Sequence, residues 1–525
     1  MNGTALHMPV MRASILQEVR LRMRRGSTLA ALLAVIAITW LAIPDPSTGM
    51  ALMGVDKARM LYDSMTLSLG SAALLNLLFG LGGFYLVRGR VAEDLRHGIG
   101  GVIGSTPAGD LALLVGRWLG AMAYLLTLAG AFMATVLVLH LLRGEAPIEP
   151  ATYVVNYMLM LLPALSFAAG MAILCESAGP LVGKAGDVLY FFMWMMQFAA
   201  ISAIGEAQDQ VWHPLMLVDF NGAPTMIVAM VRVFGTPHLN IGLSDFDASL
   251  PLVTMPADFW TPAMIATRIG ATLIGMLPAL AAAVVFHRFS PDRVRAAHGR
   301  KRGSPLALAD RLLRPLARLV TPLHGPAAGL PAPLRGIAAD MLLTLSARPA
   351  LIVAMAAAIV AGIAASAPSL AGVALAATIF WGVAISDVAV RDHAADLGPM
   401  GAAVAGGALA RTLRQFAATL LLGWIMLAPV GLRWLEMSPV RGAAVFVGIF
   451  AMSACAQAFG VLTRTGRAFL ALFLFAMYVS TQVRNVAWLD MVGVNGVADS
   501  ASVLAMAMVG IAALAVAVAA TLRGR

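Results

Sequence analysis

The sequence predicts an all-α polytopic membrane protein of about 12 transmembrane helices. Composition, the length of the apolar runs and the placement of positive charge each point there. Of 525 residues, 60% are hydrophobic and 12% charged, with a mean hydropathy of +0.86. A soluble chain solvates its surface with roughly a quarter charged residues. The apolar runs are continuous rather than alternating, which excludes a membrane β-barrel, and most approach the ~20 residues a helix needs to cross a bilayer.

Taken in order, residues 10–25 mix Met11, Ile15, Val19 and Leu21 with Arg and Glu at helical spacing, as an interfacial amphipathic helix does. Arg20, Arg22, Arg24 and Arg25 then precede an apolar run ending Ile43-Pro44-Asp45. That ending has no small-residue cleavage site, so the run is expected to be an uncleaved first span. The expected spans of the first half are 28–44, 65–87, 114–142, 153–175, 187–205 and 262–287. A basic linker with several Pro and Gly follows, expected to lie partly on anionic lipid. The second half supplies 349–366, 368–388, 413–430, 442–462, 468–483 and 500–522. Pro368 splits a run too long for one span into a helical hairpin. The expected organisation is 1–287, a linker at 288–333, and 334–525.

Charge sets the expected orientation. With the N-terminus on the cytoplasmic side, 28 of the 36 Lys and Arg fall in cytoplasmic segments and 7 outside, with Arg268 inside a span. This asymmetry is a positive-inside signature, which puts both termini in the cytoplasm and the chain in a cell inner membrane. It also accounts for the net charge of +10 without a nucleic-acid partner, whose surface would cluster basic residues with stacking aromatics.

The halves carry a weak internal repeat. Val10–Ser27 and Leu334–Ala347 both lead directly into a span. After each half's second span comes a related stretch, Val91-Ala92-Glu93-Asp94-Leu95 in one and His393-Ala394-Ala395-Asp396-Leu397 in the other. Six spans return the chain to the side it left, so the halves run parallel.

On these residues each half resembles an ABC-2 type export permease: an amphipathic elbow helix, two spans, a short cytoplasmic coupling helix, then four more spans. Glu93-Asp94-Leu95, Ser105-Thr106-Pro107 and Gly116-Arg117 are similar to that family's acidic start, Thr-Pro turn and Gly-Lys. The second half departs from the pattern, with Gly398-Pro399 and no Thr-Pro. The resemblance implies a permease subunit that holds no cofactor and works with separate ABC-type ATPase subunits. These would dock on Glu93, Asp94, Leu95, Arg96, Gly101, Thr106 and Pro107, with Asp396 and Leu397 as the second-half counterpart.

The chain's own motifs fit that division of labour. Gly179-Pro-Leu-Val-Gly183-Lys184-Ala185 is one residue short of a phosphate loop, lacks its Ser or Thr and follows no strand, so a tight turn is expected. Gly98–Gly104 fits no dinucleotide register. Cys175 and Cys455 are expected to pack, and His213, His238, Asp245 and Asp247 lack metal-ligand spacing. Within the spans, Arg268, Asn76 and Gln197 are candidates to line a path or to bond between helices. An ion-coupled secondary transporter would instead need acids at mid-span. A membrane transferase would need paired acids or histidines on the 206–261 segment.

Overall fold

The computed structural model describes residues 8–24, 26–96, 99–105, 109–205, 212–286, 310–395 and 406–523. Every one of the 12 expected runs is helical. Eight described helices are long and apolar enough to cross a membrane. The chain divides into two compact units, Met1–Ser304 and Pro305–Arg525.

The first unit begins with helix α1 (Met8–Met23) and helix α2 (Gly26–Ala42), followed by α3 (Ser64–Val87). Asp63 starts α3 by accepting the Thr66 N–H at 2.8 Å, a cap that satisfies one orphan donor of the first turn. At 24 residues α3 is about 36 Å long, enough to span a hydrocarbon core. Two short helices, α4 (Arg90–Arg96) and α5 (Ile99–Ser105), lead to α6 (Asp110–Arg143), α7 (Pro150–Ser177) and α8 (Lys184–Gly205). A shorter helix, α9 (Ala223–Phe234), precedes α10 (Pro262–Val285). Prolines at the first turns of α7, α9 and α10 sit where a missing N–H costs nothing. Helix α7 packs along α3 and α10, and α1 lies against α6.

The close seating of α1 follows from Gly116-x-x-x-Gly120 on α6. A Cβ at Gly116 would lie 2.8 Å from the Ser14 Cβ, and one at Gly120 would lie 2.6 Å from the Glu18 Cβ. Small residues four apart let the two backbones meet.

One feature departs from the all-helical expectation. Strands β1 (Met50–Val55), β2 (Ala58–Arg59) and β3 (Leu239–Asp245) form an antiparallel sheet in the order β2-β1-β3. Asp56 and Lys57 turn the hairpin with φ of 47° and 70°, the left-handed geometry a two-residue turn requires. Tyr62 anchors the sheet: its hydroxyl accepts the Leu52 N–H at 2.9 Å and donates to the Pro44 carbonyl at 3.1 Å. Burial pushes that phenol up to about 12. Two connections that read as separate loops in the sequence are thus one body at the end of the bundle away from α4 and α5.

In the second unit, α11 (Ala332–Ala347) meets α12 (Pro349–Ala364) at a bend of 101°, where Pro349 opens the second helix. Then follow α13 (Leu370–Ile385), α14 (Gly407–Met437), α15 (Pro439–Thr463), α16 (Arg467–Gln482) and α17 (Ser500–Arg523). Helix α15 packs on α14 and α17, and α14 also receives α11 and α12.

Candidate functional site

The connector after α3 is held by a buried ionic network at the α4 end of the first unit. Glu18 of α1 pairs with Arg22, and its other oxygen lies 3.3 Å from Arg90 Nε. Arg90 reaches Glu93 at 3.5 Å and Asp94 at 3.0 Å, and Asp94 also pairs with Arg117 of α6. Glu176, at the end of α7, accepts the N–H groups of Gly89 and Val91, the latter at 2.8 Å. A carboxylate there satisfies donors that the first turn of α4 would otherwise orphan. Arg22 closes the network by donating to the Val87 carbonyl at 2.9 Å. Glu18, Arg22, Arg90, Arg117 and Glu176 line a gap of about 20 Å³, room for a water.

The acids of the connector therefore differ in what they can touch. Asp94 is buried, with no exposed side-chain surface, and ties α4 to α6. Glu93 keeps a third of its side chain exposed. Gly101 is exposed on α5, and a Cβ there would meet nothing within 4 Å. Beside it Val102 is 66% exposed. Leu95 and Arg96 belong to α4, but their side chains lie outside the described residues, as do Thr106, Pro107, Asp396 and Leu397 entirely.

The turn at 179–185 has the wrong polarity for a phosphate. Arg88 pairs with Asp187 and donates to the carbonyls of Leu181 at 2.9 Å and Gly183 at 3.0 Å. A phosphate loop turns N–H groups inward; this turn presents carbonyls to a cation.

Arg268, Asn76 and Gln197 meet at a single loop, Asp219–Gly222. Pro163 lacks the N–H that would bond the Leu159 carbonyl four residues back in α7. Arg268 Nε donates to that carbonyl at 3.0 Å. Its other nitrogens donate to Met160 and Phe220, each at 3.2 Å, and to Asp219. Asn76 donates to the carbonyls of Met160 at 2.7 Å and Asn221 at 2.6 Å, while Gln197 accepts the Asn221 N–H at 3.0 Å. The Asp219 carboxylate accepts from Gly222 N at 2.8 Å, Thr225 N at 3.0 Å and the Thr225 hydroxyl at 2.7 Å, capping α9. All three residues are buried, Arg268 and Asn76 bonded both to α7 and to the loop and Gln197 to the loop. Asp219, which completes the cluster, was visible in the sequence only as an Asp three residues before Gly222 and five before Pro224.

The second unit builds a corresponding network from other residues. Asp340 of α11 pairs with Arg391 at 2.7 Å. Asp392 receives the fork of Arg411 on α14, and Gln415 donates to it at 2.8 Å. At the opposite end Arg433 of α14 donates to the carbonyls of Gly362 at 2.9 Å and Ala365 at 2.8 Å, closing the end of α12. In the first unit Arg143, the last residue of α6, donates to the Ile43 carbonyl just beyond α2. The linker residues 288–309 lie outside the described residues.

No family model matches the sequence, and no curated protein matches it either. Among the described residues no group of three His, Cys, Asp or Glu side chains could hold a metal.

Proposed function

We propose that this chain is the membrane-spanning permease subunit of an ATP-binding-cassette exporter, of the ABC-2 type, with 12 spans in two parallel six-helix repeats. Separate ATPase chains would drive it from the cytoplasmic side of a cell inner membrane, where both termini lie. The observation that carries this reading is the recurrence of one bonding scheme in both units. An acid on the helix before the first span holds an Arg of the connector, as Glu18 holds Arg90 and Asp340 holds Arg391. An acid of the connector holds an Arg near the start of the third span, as Asp94 holds Arg117 and Asp392 holds Arg411. An Arg at the far end of the third span closes the first, through Arg143 and Arg433. The separations fall steadily, from 322 residues between Glu18 and Asp340 to 298 between Asp94 and Asp392 and 290 between Arg143 and Arg433. That trend fits a duplication whose second copy has shorter connections.

The arrangement supports a mechanical role. A connector locked by buried ion pairs to the third span and to the preceding helix α1 moves with both. Force from an ATPase seated on its exposed side, at Glu93, Gly101 and Val102, would reach two helices at once. The buried acid Asp219 is the feature that would favour an ion-coupled transporter. Its carboxylate is already engaged by Gly222, Thr225 and Arg268, which hold it in the turn that starts α9. Affinity purification of the tagged chain from its native membranes in mild detergent tests the proposal. An ATP-binding-cassette ATPase should co-elute in stoichiometric amount; repeated elution of the chain alone, intact and folded, would contradict it.

A further inference from the structure

We propose that residues 311–335 form a basic, leucine-rich ridge that seats on the anionic headgroups of the leaflet where α12 begins. This goes beyond the permease reading and stands without it. The stretch contains Arg311, Arg314, Arg318 and Arg335 and no acid. All four arginines are exposed and none has an acidic partner among the described residues. Between them, Leu312 is 72% exposed, Leu319 63%, Leu323 51% and Leu334 51%. Leu319 and Leu323 belong to helical turns at Arg314–Leu319 and Thr321–Leu323, Leu312 to the turn just before them, and Leu334 to the first turn of α11. The ridge is therefore an ordered surface that leaves its leucines unburied.

Its depth relative to a bilayer is fixed by two contacts. Asp310 accepts the N–H of Ala350 at 3.1 Å, which ties the start of the ridge to the first turn of α12. The turn at Arg314–Leu319 packs on both α11 and α12, and Val320 is buried beneath it. Helix α12 is the apolar helix of the pair, and α11 leaves it at 101°. A segment bonded to the first turn of such a helix lies level with the headgroups. Leucines at that depth enter the acyl boundary while arginines reach phosphate, the pairing that holds amphipathic segments on a membrane surface. Charge decides between occupants: a protein partner would need an acidic face, whereas an anionic leaflet supplies one at the required depth.

The test uses the full chain carrying Cys175→Ala, Cys455→Ala and Leu319→Cys, spin-labelled and reconstituted in nanodiscs. Discs of pure phosphatidylcholine are compared with discs containing about one-third phosphatidylglycerol, using collision with oxygen and with a water-soluble nickel chelate. In anionic discs the label should be reached by oxygen and shielded from nickel. Arg314→Gln and Arg318→Gln, separately, should each weaken seating about fivefold and restore nickel access in proportion. Salt should act in the same direction. Equal nickel access in both discs would overturn the proposal. So would shielding that appears only when a second protein is added, since the ridge would then be a protein-docking surface. Circular dichroism of each variant separates loss of seating from loss of fold.

Discussion

Replacing Asp94 with Asn tests whether the connector is locked from within. Asp94 has no exposed side-chain surface, lies 3.0 Å from Arg90 and pairs with Arg117. Removing one partner of a buried ion pair costs about 3–5 kcal/mol, because the guanidinium left behind stays desolvated. Glu93, one residue earlier, is a third exposed and pairs at 3.5 Å within its own helix turn, an interaction worth about 0.3–0.5 kcal/mol. The two carboxylates should therefore differ about tenfold in energetic weight. Heating the purified protein with a thiol-reactive fluorophore reads this directly, since Cys175 is fully buried in the same unit. Asp94→Asn should lower the melting temperature by about 10 °C, while Glu93→Gln stays within a degree or two. Asp94→Asn combined with Arg117→Gln should recover part of the loss, because neither charge is then stranded. Equal melting of Asp94→Asn and wild type would refute the reasoning and make Asp94 a surface residue.

Three further outcomes are expected. Arg268→Met strands the carbonyls of Leu159, Asp219 and Phe220, while that of Met160 keeps Asn76, at about 1–3 kcal/mol for each acceptor left bare; its folded yield on size-exclusion chromatography should collapse, and a wild-type yield would contradict the cluster's role. Gly120→Val would force a side chain into the Glu18 Cβ, costing about 1–3 kcal/mol, and should open α1 to trypsin at Arg20 and Arg24; unchanged cleavage would show that α1 is not seated there. Arg59 grips Glu145 with two bonds of 2.6 Å and holds its carboxyl below the usual range. A depressed carboxylate stabilises the fold above its unfolded pKa and loses that contribution as pH falls through the lower folded value. Wild type should thus exceed Glu145→Gln in tryptophan-monitored melting by under about 1 kcal/mol near neutrality, and the gap should close below about pH 4; a gap that widens on acidification would contradict this sign.

The helices were legible because apolar runs bounded by charge leave little choice in a chain of this composition. All 12 expected runs are helices, with ends within a few residues of expectation, apart from a longer extension at 407–437. The sheet was not legible, because β1 and β3 pair across nearly two hundred residues and the hairpin turn is Asp56-Lys57 rather than a glycine turn. At the connector the sequence could not rank the acids. Glu93 and Asp94 are neighbours, and only the position of Arg117 and of the α1 face decides which one turns inward. Arg268 had an identifiable cause in the sequence, Pro163, but pairing a proline with an arginine 105 residues later needs the helix packing. Asp392, four residues before the expected Asp396, pairs with Arg411, a partner 19 residues on that only the packing of α14 brings to it.

The central claim is that an ATPase drives this chain through the exposed side of the 90–105 connector. The most direct measurement is ATP hydrolysis by the co-purified complex in nanodiscs, comparing wild type with Gly101→Trp. A Cβ at Gly101 meets nothing within 4 Å among the described residues, so folding and melting should be unchanged. If the connector is the docking site, an indole at that position should block close approach, and both co-elution and membrane-dependent hydrolysis should fall at least about tenfold, a loss of 1.4 kcal/mol or more. A Gly101→Trp complex that assembles and hydrolyses ATP like wild type would contradict the account.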